Sequence, residues 1–185
     1  MDRAEIARLT EEHGGTWGIN HTRRLLKLVE HISQGLTYNA EAIWIAAHMH
    51  DWGAYAPWAQ KGVDHVLRSG QVAGEFLAAH GCAPDLQALV LECIALHHTA
   101  GADRSLEAML LRDADALDFL GVMGVLRDFS KNPRDLRGAF DQVRKRREKV
   151  PAMLQLESAR AMGAQRVQLM DALLKEFEAE SFGCF

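Results

Sequence analysis

The sequence predicts an all-α protein, and three observations support this prediction. Apolar residues recur every three to four positions along most of the chain, which is the period of an amphipathic helix. Residues that favour helix starts and stops punctuate these segments. No stretch shows the apolar–polar alternation of a strand. With 185 residues, 48% of them apolar and 25% charged, the chain fits one globular domain over 1–185.

Seven segments carry the helical pattern, so we expect a bundle of roughly seven to eight helices. The segments are 21–32, 39–51, 63–81, 84–98, 105–129, 134–149 and 153–180. Asn20, Asn39 and Ser105 each precede a segment and can accept a hydrogen bond from the first turn. Pro84 suits a first helical position, and Gly81 suits the position just after a helix end.

The last two predicted helices follow a segment that interrupts the helical pattern. The residues SKNP at 130–133 cannot continue a helix, because proline lacks the backbone donor and restricts the residue before it. We therefore expect a core of about 17–127 with C-terminal helices, about 134–180, packed on it.

Charge and cysteine content exclude several classes of function. The net charge is −4, which gives no electrostatic basis for binding a nucleic-acid polymer or a membrane. The basic run at 144–149 has helical spacing and is typical of a solvated helix face. Cys82, Cys93 and Cys184 form no paired motif, and the N-terminal residues resemble no signal peptide, so we expect a cytoplasmic protein.

Several ionisable residues stand at predicted helix ends or beside apolar stripes. They are His21, His50, Asp51, His65, His97, His98, Asp115 and Asp118. Each has an ordinary explanation by itself, such as an imidazolium at a helix C-terminus or an exposed acidic face. Burial without partners would cost several kcal/mol for each group, and a shared divalent cation would remove that cost.

Four segments that contain these residues also resemble a known family. They are, in order, WGINHTRRLLKL, AIWIAAHMHDWG, DHVLRSGQVAGEFL and LRDADALDFLGVMGVLR. With the doublet His97-His98, their order H…HD…H…HH…D resembles the HD-domain superfamily of metal-dependent phosphohydrolases, in particular its small stand-alone bacterial members. The resemblance extends from about Trp17 to Arg127 and implies an HD-domain helical bundle.

The resemblance implies a ligand set for a divalent metal ion. Its first site would be formed by four residues, His21, His50, Asp51 and Asp115. Three more match the positions that hold a second ion in two-metal members, where Asp51 would bridge the pair; they are His65, His97 and His98. With a single metal, the same three histidines would contact a substrate phosphate or position a water molecule.

Four other residues have weaker predicted roles. Asp118 would orient a ligand or a water molecule, or be a plain exposed carboxylate. Lys61 would reach a phosphate, or be a solvated loop lysine. Arg127 would bind substrate phosphate or brace Asp118 in a structural ion pair. Trp52, together with Tyr55 and Trp58 of the same loop, would stack on a nucleobase, cover the cavity or form a contact with a partner.

The implied activity is hydrolysis of a phosphoester or phosphoanhydride in a small, nucleotide-like substrate. The metal would be Mn, Fe, Co, Ni, Zn or Mg. Family members often associate as dimers, so a homodimer is considered, but no apolar stripe in the sequence is long enough to indicate an interface. A di-iron oxygenase and a non-catalytic, metal-containing binding module are the alternatives. The residues HHTAGADRS at 97–105 lack the Gly-Tyr-Pro loop of cyclic-di-GMP phosphodiesterases, so that specificity is not expected.

Overall fold

A computed structural model describes residues 2–99 and 103–185 of the chain, and these residues form α-helices with no strand. The helices are α1 Arg3–Ile32, α2 Ala40–Met49, α3 His65–Ala79, α4 Pro84–Leu96, α5 Leu106–Asp118, α6 Gly121–Lys131, α7 Leu136–Lys149 and α8 Glu157–Glu180. Short 3₁₀ turns lie at Trp52–Ala54 and Pro151–Met153. The all-α prediction and the predicted number of helices are confirmed.

The helices divide into two compact units, Met1–Arg112 and Asp113–Phe185. The division falls within α5, so the first unit contains α1 to α4 and the second contains α6 to α8. The single domain over 1–185 stays a prediction.

Four of the predicted start and stop signals are confirmed. The Asn39 side chain accepts a hydrogen bond from the N–H of Ala42, and Ser105 Oγ accepts one from the N–H of Ala108. Pro84 is the first residue of α4. Gly81 follows α3 with a positive φ of 65°, the left-handed conformation that commonly ends a helix.

The predicted cap at Asn20 is wrong. Asn20 lies inside α1, which begins at Arg3 after the N-cap Asp2. The amphipathic N-terminal residues form the first part of this helix, and Gly15, with φ 61° and ψ −167°, produces a kink between the two parts. Glycine adopts this conformation without the steric penalty of a Cβ atom, so the chain resumes its helix after the kink.

The predicted single helix over 105–129 is divided in two. α5 ends at Asp118 and α6 begins at Gly121, whose φ is 74°. Apolar spacing continues through this point, but the left-handed glycine conformation interrupts the helical hydrogen bonds.

Helix α2 forms the centre of the first unit and lies against α1 and α4. Five of its residues are 0% exposed, namely Ala42, Ile45, Ala46, Ala47 and Met49. A short helix with this much apolar surface is stable because its neighbours cover it. Its last turn leads directly to His50 and Asp51, so the packed core fixes where these two side chains begin.

The second unit has its own apolar core, in which α6 packs against α7 and α8. Phe140, Val143 and Met170 are at most 1% exposed. The buried carboxylate of Asp113 accepts hydrogen bonds from the N–H groups of Gln155 and Leu156, just before α8. These bonds hold the start of α8 against α5.

None of the helices in the described parts of the chain combines the length and the apolar character needed to cross a membrane.

Replacing Asn39 by alanine is expected to destabilise the protein by about 1 kcal/mol, because the first turn of α2 loses its cap. Asn20→Ala is the matched control, since Asn20 lies within a helix, where alanine is at least as favourable. The measurement is the urea midpoint of unfolding of both variants. Equal midpoints for the two variants would contradict the assignment of the cap.

Candidate metal centre

His21, His50 and Asp51 converge in the first unit although 30 residues separate the first from the last. One potential ligand atom from each residue lies within 4.8 Å of the others. Oδ2 of Asp51 is 3.4 Å from Nε2 of His50 and 3.9 Å from Nε2 of His21. We call these three residues the inner cluster, because both imidazoles are almost completely buried.

His65, His97 and His98 form a second group with the same 4.8 Å spacing between ligand atoms. His65 is the first residue of α3, and the other two directly follow α4. The ring centroid of His98 lies 4.1 Å from that of His97 and 5.2 Å from that of His65. We call this group the outer cluster, because His98 is exposed and His65 is half-buried.

Asp51 faces both clusters. Its Oδ2 lies beside the inner imidazoles, whereas its Oδ1 lies 3.9 Å from Nε2 of His65. The rings of His50 and His97 also approach each other, with centroids 5.1 Å apart. The two oxygens of one carboxylate are therefore placed to serve two neighbouring cation positions.

The hydrogen bonds of the buried imidazoles fit metal binding. Nδ1 of His50 lies 3.0 Å from the carbonyl oxygen of Ala47, and Nδ1 of His97 lies 2.6 Å from that of Ile94. A carbonyl oxygen only accepts, so the proton is on Nδ1 in each hydrogen bond, and in the neutral ring the lone pair is on Nε2. Metal-ligating histidines are typically oriented in this way. The imidazole and carboxylate donors thus fit a divalent cation.

Helix ends add to the electrostatic preference for a cation. His50 is the C-cap of α2 and His97 is the C-cap of α4. The carbonyl groups of a last helical turn carry partial negative charge and favour a nearby positive charge. Two helices therefore present their negative ends beside these clusters.

Ser69 and Gly53 hold the loop that contains Asp51. The backbone N–H of Gly53 donates a 2.8 Å hydrogen bond to Oγ of the fully buried Ser69. A Cβ atom at position 53 would lie 2.4 Å from the carbonyl oxygen of His65 and from the amide nitrogen of Ser69. Only glycine allows this approach. The sequence assigns no role to either residue, although the spacing of His65 and Ser69 by one helical turn was an available signal.

The prediction that Trp52 contacts a substrate is wrong, because its ring is buried. Trp52 is 0% exposed, and its Nε1–H donates a 2.9 Å hydrogen bond to Oγ1 of Thr10. Its ring stacks on Trp58 at 4.6 Å between centroids. No exposed face remains for a base, so Trp52 packs the core beneath the Asp51 loop.

The remaining predicted site residues are Lys61, Asp115, Asp118 and Arg127. Lys61 is exposed in the turns that precede α3, and its contact with phosphate stays a prediction. Asp115, Asp118 and Arg127 belong to the second unit and are buried. Arg127 forms an ion pair with Asp118, which is the structural role considered as its alternative. Metal ligation by Asp115 stays a prediction.

Three histidines outside the two clusters form hydrogen bonds within their own helices. His48 is buried, its Nδ1 bonds to the carbonyl oxygen of Trp44, and burial lowers its pKa to about 4. His31 and His80 likewise bond through Nδ1 to the carbonyl groups one turn earlier in their helices. Hydrogen bonds to backbone carbonyl groups within their own helices therefore account for these three side chains.

Ser69→Ala is expected to weaken divalent-metal affinity roughly 10-fold, within the range seen when groups that orient metal ligands are removed. The reason is that the Asp51 loop loses its hydrogen bond to α3. Titration calorimetry with Mn²⁺ measures the effect. Ser130→Ala, which removes a hydroxyl group from α6, is the control, and equal affinities of the two variants would contradict the positioning role of Ser69.

Comparison with known proteins agrees with this geometry. The family model of the HD domain matches residues 18–120. A structure described as a predicted HD superfamily hydrolase, from an uncultured Thermotogales bacterium, is 26% identical with a TM-score of 0.71, and the match covers 96% of this chain and 92% of that one. No curated protein matches the chain significantly.

Two further structures are less similar in sequence and share the fold. Bacillus subtilis YpgQ, solved in complex with ADP, is 19% identical with a TM-score of 0.74, and 97% of each chain is covered. An HD-superfamily hydrolase from Bacillus thuringiensis is 18% identical with a TM-score of 0.74, and the match covers 98% of this chain and 97% of that one. Since the family model spans more than half of the sequence, the chain belongs to the HD-domain superfamily of metal-dependent phosphohydrolases.

Proposed function

We propose that the protein hydrolyses a phosphoester or phosphoanhydride bond in a small, nucleotide-like substrate. One observation carries the proposal: Asp51 directs one carboxylate oxygen toward His21 and His50 and the other toward His65. Two cation positions that share a bridging carboxylate are a common arrangement for phosphoryl transfer, because both the attacking and the leaving oxygen need stabilisation.

The residues of the inner cluster would hold the first ion, and those of the outer cluster would hold the second. Asp115 completes the first set by the sequence resemblance alone. When bound, divalent ions supply Lewis acidity to phosphoryl oxygens and lower the pKa of a water molecule toward neutrality. The mixture of imidazole and carboxylate donors suits Mn, Fe, Co, Ni or Zn better than Mg.

The exposure of the ligands indicates the side from which a substrate arrives. The side chains of His21 and His50 are 3% and 2% exposed, whereas those of Asp51 and His65 are 27% and 34% exposed. The inner cluster is thus shielded from water in the first unit. A phosphate group would therefore approach the outer cluster, and His98, which is exposed, would be among its first contacts.

The buried imidazoles contribute rigidity. Their Nδ1–H groups are held by backbone carbonyl oxygens, so their Nε2 atoms keep one direction without a substrate. Preorganised groups lose little freedom during the reaction, which favours catalysis. The hydrogen bond from the N–H of Gly53 to Oγ of Ser69 likewise holds the backbone that positions Asp51 in one conformation.

The nucleotide-like character of the substrate is supported by a structure of the same fold. Bacillus subtilis YpgQ, which shares the fold at 19% identity, was solved with ADP. A nucleotide in a protein of the same architecture supports the same class of substrate here.

Asp51→Asn is expected to abolish phosphohydrolase activity, with a loss larger than the roughly 10- to 100-fold typical of residues that only orient ligands. The substitution preserves shape but removes the charge that offsets the cations. The measurement is phosphate release from p-nitrophenyl phosphate and a nucleotide panel with each divalent metal. Asp85→Asn, an exposed carboxylate in α4, is the control.

Two outcomes would contradict the proposed hydrolysis. Tightly bound iron with no phosphate release from any substrate would favour the di-iron oxygenase. A folded protein that holds a metal other than iron and releases no phosphate from any substrate would favour the binding module.

The wild-type chain is expected to bind two divalent ions, and His65→Ala is expected to bind about one, because the outer cluster loses a ligand while the inner cluster is unchanged. Elemental analysis of protein equilibrated with Mn²⁺ provides the stoichiometry. His31→Ala removes an exposed histidine outside both clusters and serves as control. One ion per chain in both variants and in wild type would contradict the second position.

A further inference from the structure

An open apolar groove lies between α3 and α4, on the side of the outer cluster, and has a volume of about 720 Å³. Its apolar lining comes from two helix faces, namely Val66, Leu67 and Gly70 of α3 and Leu91 and Ala95 of α4. A volume of this size is within the range of small-molecule sites and exceeds what a phosphate group alone requires.

The groove is continuous with the candidate metal centre. His98 belongs both to its lining and to the outer cluster. Asp64 and Val66, which flank His65 in the sequence, also line it. A molecule whose phosphate contacts His98 therefore has the rest of its structure beside this groove.

Charge limits what the groove can accept. Of the lining residues that the structure describes, none is a lysine or an arginine, and the only carboxylate is that of Asp64. This carboxylate accepts hydrogen bonds from the N–H groups of Leu67 and Val66 at the start of α3. An anionic group in the groove would meet this negative charge, and no lysine or arginine among the described lining residues would offset it, so a chain of further phosphates is disfavoured there.

The shape of the groove favours a flat apolar group. Leu67 is 60% exposed although it is a large aliphatic side chain, and an apolar ligand would cover it. Apart from its chain neighbours and the backbone of its own helix, no described residue has a heavy atom within 4 Å of a Cβ atom placed on Gly70, so the helix surface is open to the described parts of the chain at that point. The backbone of α3 at Gly70 can thus be approached closely by a planar group.

We propose that this groove binds the uncharged organic group of the substrate, a planar and largely apolar moiety such as a nucleobase or an aryl ring, while the phosphate lies at the outer cluster. The inference rests on the proposed function, because it assigns a position to the same substrate. It assigns specificity to α3 and α4 through Leu67, Gly70 and Leu91.

The test compares binding of phosphonates, which are not hydrolysed, to metal-loaded full-length protein by titration calorimetry. Phenylphosphonate is expected to bind at least about 10-fold more tightly than methylphosphonate, since each buried methylene-sized group contributes about 4-fold. AMP is added as a nucleobase probe: a similar gain over methylphosphonate assigns the groove to a base, and a gain for phenylphosphonate alone assigns it to hydrocarbon groups.

Gly70→Leu fills the groove without a backbone clash and is expected to remove this preference while leaving methylphosphonate affinity unchanged. Leucine is also the better helix former, so the unfolding midpoint of the variant should equal or exceed that of wild type. Ala78→Leu adds the same side chain at an exposed position of α3 outside the groove and is expected to leave all affinities unchanged.

Equal binding of phenylphosphonate and methylphosphonate, or a preference that survives Gly70→Leu, would overturn the inference. So would a Gly70→Leu variant that changes from dimer to monomer in light scattering with unchanged probe affinities, since the groove would then be a contact between copies. These results are separate from the proposed activity. If phenylphosphonate binds in the groove but no substrate is hydrolysed, the inference stands and the proposed hydrolase activity is refuted. If substrates are hydrolysed but phenylphosphonate and methylphosphonate bind equally, the hydrolase activity stands and the inference is refuted.

Discussion

The candidate site depends on the position of the Asp51 carboxylate among the imidazoles of three histidines. Asp51 is within 3.9 Å of three histidine nitrogens that come from α1, the end of α2 and the start of α3. Neutral imidazoles and a carboxylate in a poorly hydrated environment are costly unless they share a proton or a cation. A divalent ion would satisfy these donors together, which would account for polar groups gathered against an apolar core.

The apolar core is what makes this gathering precise. α2 is packed against α1 and α4, so its last residue arrives at a fixed point, and the turn that follows is held by Trp52 and Ser69. The carbonyl groups that orient His50 and His97 belong to the last turns of the helices that these residues cap. Positioning and stability therefore share the same contacts, and substitutions beneath the site should alter its chemistry.

The site has a closed side and an open side, and this asymmetry gives the two clusters different roles. The inner cluster lies within the packed first unit, whereas the outer cluster is next to solvent and to the groove between α3 and α4. A phosphate can reach the outer cluster without disturbing the core. In the proposed function, the largely apolar lining of the groove would select what is attached to that phosphate, so the proposals place metal chemistry and substrate selection on neighbouring surfaces of the same helices.

The sequence by itself determined the helical class, most helix ends and the membership of the superfamily, because apolar period, caps and ordered motifs are local properties. It misplaced the start of α1 and joined α5 to α6, since a single glycine with positive φ interrupts a helix without changing the apolar spacing. Only the tertiary structure decided that Trp52 is sealed in the core, that Ser69 fixes the Asp51 loop, and that the two oxygens of Asp51 face different clusters. These facts depend on contacts between residues distant in sequence, which local patterns do not encode.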